Sequence, residues 1–158
     1  MQTNLARTLI RLGATVVLSL APLQAHASHC SNANTAGDWA YTYTGTIFTS
    51  AGAFPLASVG HFKQDSTGYI TGSQSRSVAG QSGAEDISGT VSVNGDCTAS
   101  ATINVFVNGQ LQRTAAISLV YDSNRNHARM IFQSLTLPDG TNVPVVITID
   151  ANRLVLNQ

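Results

Sequence analysis

The amino-acid sequence predicts an all-β domain of about eight antiparallel strands, arranged as a meander and closed into a small β-barrel. Three observations carry that expectation. From residue 28 onward, apolar and polar residues alternate with period two, so that successive side chains face opposite sides of a sheet. Asn-Gly and Asp-Gly pairs fall between the alternating runs, where a tight hairpin needs positive φ. Helical periodicity is absent from the same region. Nearly every connection is short, and closure removes exposed edges. A barrel is therefore favoured over a two-sheet sandwich, which needs crossover links.

Residues 1–27 read as a cleavable export signal. Arg7 and Arg11 are basic, and no acid precedes Asp38. Leu12 to Leu20 is apolar, and shorter than the roughly 20 residues of a bilayer span. Ala25-His26-Ala27 places small residues where signal peptidase selects them, which puts the cut after Ala27. His29 stands directly before Cys30, where lipidation wants a small residue. The style of the signal is bacterial, and the destination is the periplasm or the medium. Residues 28–158 are one domain by length.

The strands are expected at 39–48, 56–64, 68–76, 86–93, 97–107, 110–121, 127–136 and 143–150, with a short tail strand at 153–156. Trp39, Tyr41, Tyr43 and Ile47 alternate against Ala40, Thr42, Thr44 and Thr46. Cys97, Ala99, Ala101, Ile103, Val105 and Val107 share one face, opposite Thr98, Ser100, Thr102 and Asn104. Leu111, Ala115, Ile117, Leu119 and Tyr121 form another row, and Val143, Val145, Ile147 and Ile149 a further one. Asn94-Gly95, Asn108-Gly109 and Asp139-Gly140 mark tight turns, and 64–68 and 122–126 looser ones. The polar stretch 73–88, SQSRSVAGQSGAEDIS, reads as a mobile connection at the barrel mouth, with Glu85 and Asp86 solvated in it.

Composition narrows the chemistry. After residue 27 the chain holds six basic and eight acidic residues and no basic stripe, which argues against nucleic acid and anionic membranes as partners. The outward rows are Thr, Ser, Gln and Asn rather than a continuous apolar band, so the barrel is not expected to sit in an outer membrane. Cys30 and Cys97 are the only cysteines, and an exported pair is expected to form a disulfide. No nucleophile elbow, phosphate loop or dinucleotide fingerprint is present. His29, His61 and His127 are scattered, so neither a metal nor a cofactor is expected.

Polar residues on apolar rows are the candidates for a site. Arg113 shares parity with Ala115 and Ile117, and Tyr121 ends the same row. His127 and Arg129 share parity with Ile131, although Met130 and Phe132 favour the opposite face as the buried one. If these rows face the lumen, Arg113, Tyr121, His127 and Arg129 form a polar cluster there. A buried guanidinium wants a carboxylate, from the protein or from an acidic ligand. Tyr41 and Tyr43, with Trp39, form an aromatic row that serves as core plug or as a wall for a ligand.

The segment Gly37-Asp38-Trp39 resembles the Gly-x-Trp that opens the calycin barrels, the lipocalins and avidins. That resemblance implies that Trp39 plugs the closed end and that Arg153 stacks on it. The stretch 65–72 is similar to the Gly-rich second hairpin of avidins. A single tryptophan leaves no avidin-type wall for biotin, and no helix precedes the last strand as it would in a lipocalin. Barrels of the allene oxide cyclase and dirigent type are similar in size and meander. The leading functional expectation is a binding module for a small, largely apolar ligand, acidic where it supplies the counter-ion of a lumenal arginine. Ala99, Ala101, Ala115 and Gly89 would leave it room. The alternatives are a cyclase- or isomerase-type enzyme using His127, Tyr121 and Arg129, and a structural protein with a filled barrel.

Overall fold

The computed structural model describes residues 29–154. The proposed signal segment and all but the first two positions of the expected tail strand lie outside the described residues. A short helix, α1 (Asn32–Thr35), leads into β1 (Gly37–Thr49), β2 (Gly52–Gln64), β3 (Tyr69–Val78), β4 (Gln81–Val93), β5 (Thr98–Val107), β6 (Gln110–Tyr121), β7 (His127–Thr136) and β8 (Val145–Arg153). Each strand pairs antiparallel with its sequence neighbour, and β1 also pairs with β8, which closes the barrel.

The inward rows are apolar because a closed sheet has only one water-free side. Trp39, Tyr41 and Tyr43 on β1, Ile87 and Val91 on β4, and Ala115, Ile117 and Leu119 on β6 are all buried in one core. Two bulges set the phase of the later strands. At Val105/Phe106 the β5–β6 register slips, so that Arg113 faces Val105 and Gln112 drops out of the ladder. At Ala116/Ile117 the β6–β7 register slips, so that Ser134 and Phe132 are consecutive partners and Gln133 is skipped. Met130 and Phe132 therefore pack against the core before the second bulge, and Leu135 is buried after it. A bulge flips side-chain parity by one residue.

Three expectations change. The stretch 73–88 is no mobile connection: it is the end of β3, a turn at Ala79–Gly80 and the first part of β4, paired from Tyr69↔Thr90 to Val78↔Gln81. Ala79 and Gly80 both take positive φ, as a two-residue hairpin requires. Asn108 and Gly109 do the same, as expected, but at 94–97 the positive φ falls on Cys97 instead of the Asn-Gly pair. There Asp96 Oδ1 accepts from the Thr98 amide and hydroxyl, which fixes a longer turn. Asp65 and Asp139 brace their own turns in the same Asp-x-Thr manner.

The third change is α1, a single turn of four residues that is too short to show a period. Ser31 caps it, with Ser31 Oγ accepting from the Asn34 amide and Asn34 Oδ1 accepting from the Ser31 amide. The helix stoppers one end of the barrel. Asn32 donates to Thr67 O and accepts from the Val93 amide, so it holds two separate turns. Arg153 donates to the carbonyls of Asn34 and Ala36. A Cβ at Gly37 would lie 2.8 Å from Arg153 Nε, and φ there is +150°, so this position requires glycine.

A disulfide, Cys30–Cys97, fastens α1 to the β4–β5 turn across a sequence separation of 67. Closing a loop of that length contributes about 4 kcal/mol in the chain-entropy model. The double substitution Cys30→Ser, Cys97→Ser is therefore expected to lower unfolding stability by roughly that amount in urea titrations, with the barrel's circular dichroism retained in water. An unchanged midpoint would show that α1 is held by its hydrogen bonds alone.

Candidate functional site

The candidate site is the barrel interior between two polar layers. The lower layer is built on α1, the start of β1 and the ends of β2 and β6. Trp39 is fully buried and donates from Nε1 to Thr35 O at 3.2 Å. It stacks on Phe62, with ring centroids 6.1 Å apart and planes 7° apart, and it packs tilted against Tyr121 at 5.6 Å. Gln64 Nε2 donates to Thr35 Oγ1 at 2.8 Å, and Tyr121 Oη donates to Gln64 Oε1 at 3.2 Å. Burial pushes the Tyr121 phenol up to about 12.

The upper layer is built on one carboxylate. Glu85, on β4, has a side chain only 4% exposed. Arg113 on β6 grips it with both ends of the fork: Nη1 donates to Oε1 at 2.8 Å and Nη2 to Oε2 at 2.5 Å. Arg76 on β3 donates from Nε to Oε1 at 2.9 Å. Gln74 Nε2 donates to Oε2 at 2.6 Å and to Tyr43 Oη at 3.2 Å. Tyr41 Oη closes the network by donating to Gln74 Oε1 at 2.7 Å. No buried side-chain nitrogen or oxygen among the described residues lacks a partner.

Charge in this layer follows from those contacts. Burial pushes the Glu85 carboxyl up, but the hydrogen bonds and charge of Arg113, with those of Gln74 and Arg76, outweigh it and hold the carboxyl below its ordinary value. Burial also raises the Tyr41 and Tyr43 phenols, so both stay protonated at neutral pH. Burial pulls the Arg113 guanidinium down, and its hydrogen bonds to Glu85 outweigh that and raise it.

Between the layers lies a cavity of about 70 Å³. Tyr41, Tyr43, Phe62 and Phe132 supply an aromatic wall, and Ile70, Ile87, Val91, Ala101, Ala115 and Ile117 an aliphatic one. Tyr41 packs tilted on Phe62 at 5.8 Å, and Tyr43 on Phe132 at 6.0 Å. A water needs about 10–15 Å³ of such space, and an apolar cavity of about 150 Å³ takes benzene, so this one suits a few heavy atoms. A whole ring requires some give from a flexible neighbour such as Met130, which lines it.

The structure brings Arg113, Tyr121, Tyr41 and Tyr43 together around this cavity. It places His127 and Arg129 elsewhere. His127 Nε2 lies 2.8 Å from Asp150 Oδ2 on the outer surface, and Arg129 is exposed. The reason is strand phase: Ala128, Met130 and Phe132 take the inner row. Ala101 and Ala115 line the cavity, but Gly89 leaves no room, since a Cβ there would lie 2.1 Å from Thr102 O. Arg153 stands directly opposite Trp39 in the β1–β8 ladder, and its guanidinium donates to the carbonyls of Asn34 and Ala36.

Glu85, Gln74 and Arg76 were missed as interior residues, because their polarity reads as loop. The signal was present: extending the alternation back from Val91 and Ile87 puts Glu85 inside, and extending it on from Ile70 puts Gln74 there. Among the described residues no three His, Cys, Asp or Glu side chains gather as metal ligands.

No protein-family model matches the chain, and no curated protein matches it. Among solved structures it is similar to the S-type phycobiliprotein lyase CPES from Guillardia theta, with a TM-score of 0.41 and 10% identity over 78% of this chain and 90% of that one. At that level the likeness says nothing about ligand or activity.

Breaking a buried ion pair by removing one partner strands the other charge. Glu85→Gln is therefore expected to cost about 3 kcal/mol of unfolding stability, measured by urea titration at neutral pH. The pH dependence has a definite sign. A carboxyl whose folded pKa is depressed stabilises the fold above its unfolded value, and that stability is lost as pH falls through the folded value. The melting temperature of the natural chain is expected to fall more steeply below pH 4.5, the ordinary value for this carboxyl, than that of Glu85→Gln. Parallel acid slopes would show that Glu85 is not the linked group.

Proposed function

We propose that the protein is an exported binding module that holds a small, largely apolar molecule inside its barrel. The observation that carries this reading is the apolar cavity of about 70 Å³ between the Trp39 and Glu85 layers. An interior filled to ordinary packing density would leave no such space. Export is supported by the sequence of residues 1–27 and by the Cys30–Cys97 disulfide, which an oxidising compartment sustains. No helix among the described residues is long and apolar enough to cross a membrane. Kinship with the calycin barrels draws support from Trp39, which occupies the stoppered end two residues after Gly37.

The cyclase- or isomerase-type reading draws less support. It relied on His127 and Arg129 beside Tyr121, and the first two are on the outer surface. The ionisable groups that line the cavity, Tyr41, Tyr43, Arg113 and Tyr121, all hold their protons well above neutral pH. The filled structural barrel is favoured by one fact, the complete pairing of the buried polar side chains among the described residues. A cavity that proved unreceptive would leave that reading standing.

Native and denaturing mass spectra of the protein recovered from a secreting host test the binding reading. A small extra mass that disappears on denaturation is expected, alongside cleavage after Ala27. Ala101→Val places two methyl groups where the cavity is and is expected to abolish the extra mass while raising stability by about 0.5–2 kcal/mol. Equal bare masses in both spectra, together with unmoved cavity methyl resonances in the presence of small apolar probes, would exclude it.

A further inference from the structure

We infer that Glu85 sets the charge of the molecule the barrel accepts: it masks the interior arginines, so that neutral ligands enter and carboxylates are refused. This rests on the cavity being a binding site. The interior row of β6 brings Arg113 to the cavity wall, and on its own that guanidinium would recruit an anion. The fold supplies the anion from β4 instead. Both oxygens of Glu85 are occupied by Arg113, Oε1 is shared with Arg76 and Oε2 with Gln74.

The other polar groups around the cavity are also engaged with one another. Gln74 accepts from Tyr41 and donates to Tyr43 and Glu85, and Tyr121 donates to Gln64. A ligand carboxylate inside the cavity would lose its water and displace an existing partner to gain a donor, and burial of an unpaired charge is strongly unfavourable. A neutral hydrocarbon, alcohol or ring loses little water and needs no partner. Two guanidinium groups against one carboxylate leave one positive charge over. It is carried by Arg76, whose side chain is 26% exposed beside the β3–β4 turn and is met by solvent. Discrimination of this kind works by refusing the wrong ligand as well as by holding the right one.

The test pairs molecules of one shape and two charges: 1-butanol with butyrate, and benzyl alcohol with benzoate. Each is titrated into the secreted, disulfide-bonded protein at neutral pH, and the methyl resonances of Ile70, Ile87, Ile117 and Met130 report occupancy. For the natural chain the alcohols are expected to shift these methyls, and the acids to bind more weakly by about tenfold or more. In Glu85→Gln the shape is kept and the masking charge is gone, so the gap is expected to close by about tenfold or more.

Acids that bind the natural chain as tightly as the alcohols would overturn the inference and leave the binding reading intact. A gap that persists in a folded Glu85→Gln would overturn Glu85's part in it. Failure of all four molecules would overturn the binding reading itself and this inference with it. If Glu85→Gln does not fold, the two pairs on the natural chain still decide whether anions are refused.

Discussion

A carboxylate that is almost fully buried, Glu85, is the point around which the interior is arranged. It draws donors from β3 and β6 onto β4, and through Gln74 it reaches the tyrosines of β1. Four of the eight strands are thereby joined by side chains as well as by the backbone ladder. A buried charge is tolerated only when it is fully paired, so these residues stand or fall together. Arg113 points at Glu85 because it continues the inward row of Ala115, Ile117 and Leu119 on β6, in unbroken register with β5 as far as Val105.

The opposite end is closed by different physics. There α1 and Trp39 fill the barrel with apolar bulk, and Thr35, Gln64 and Tyr121 satisfy one another beside it. The disulfide and Asn32 hold α1 against two turns of the sheet. With both ends set by polar networks of fixed geometry, the space between them is left to apolar side chains. Alanine at 101 and 115 leaves the gap there, since larger residues at those inward positions would fill it.

The strands were legible because alternation is a local pattern, and Trp39 to Ile47, Ala99 to Val105 and Ala115 to Tyr121 display it. Legibility failed where polar residues face inward. In 73–88 the inward residues include Gln74, Arg76 and Glu85, which have a loop's composition until their partners are known. It failed again at β7, where His127 and Arg129 share parity with the buried Leu135 only if Gln133 counts as an ordinary strand residue. The sequence carries no mark of that bulge. The helix α1 is a single turn, too short to show a period.

The sequence by itself therefore determined the meander of about eight strands, the turns at Asn108-Gly109 and Asp139-Gly140, and the pairing of its two cysteines. These follow from side-chain period, backbone preference at positive φ, and the arithmetic of a lone pair of thiols. Only the tertiary structure decided that Arg113 has its counter-ion inside the protein, that His127 and Arg129 face out, and that a small cavity survives between the two layers. Each of those depends on which residues of distant strands stand opposite one another, and a register that two bulges shift is a property of the closed sheet, not of any one strand.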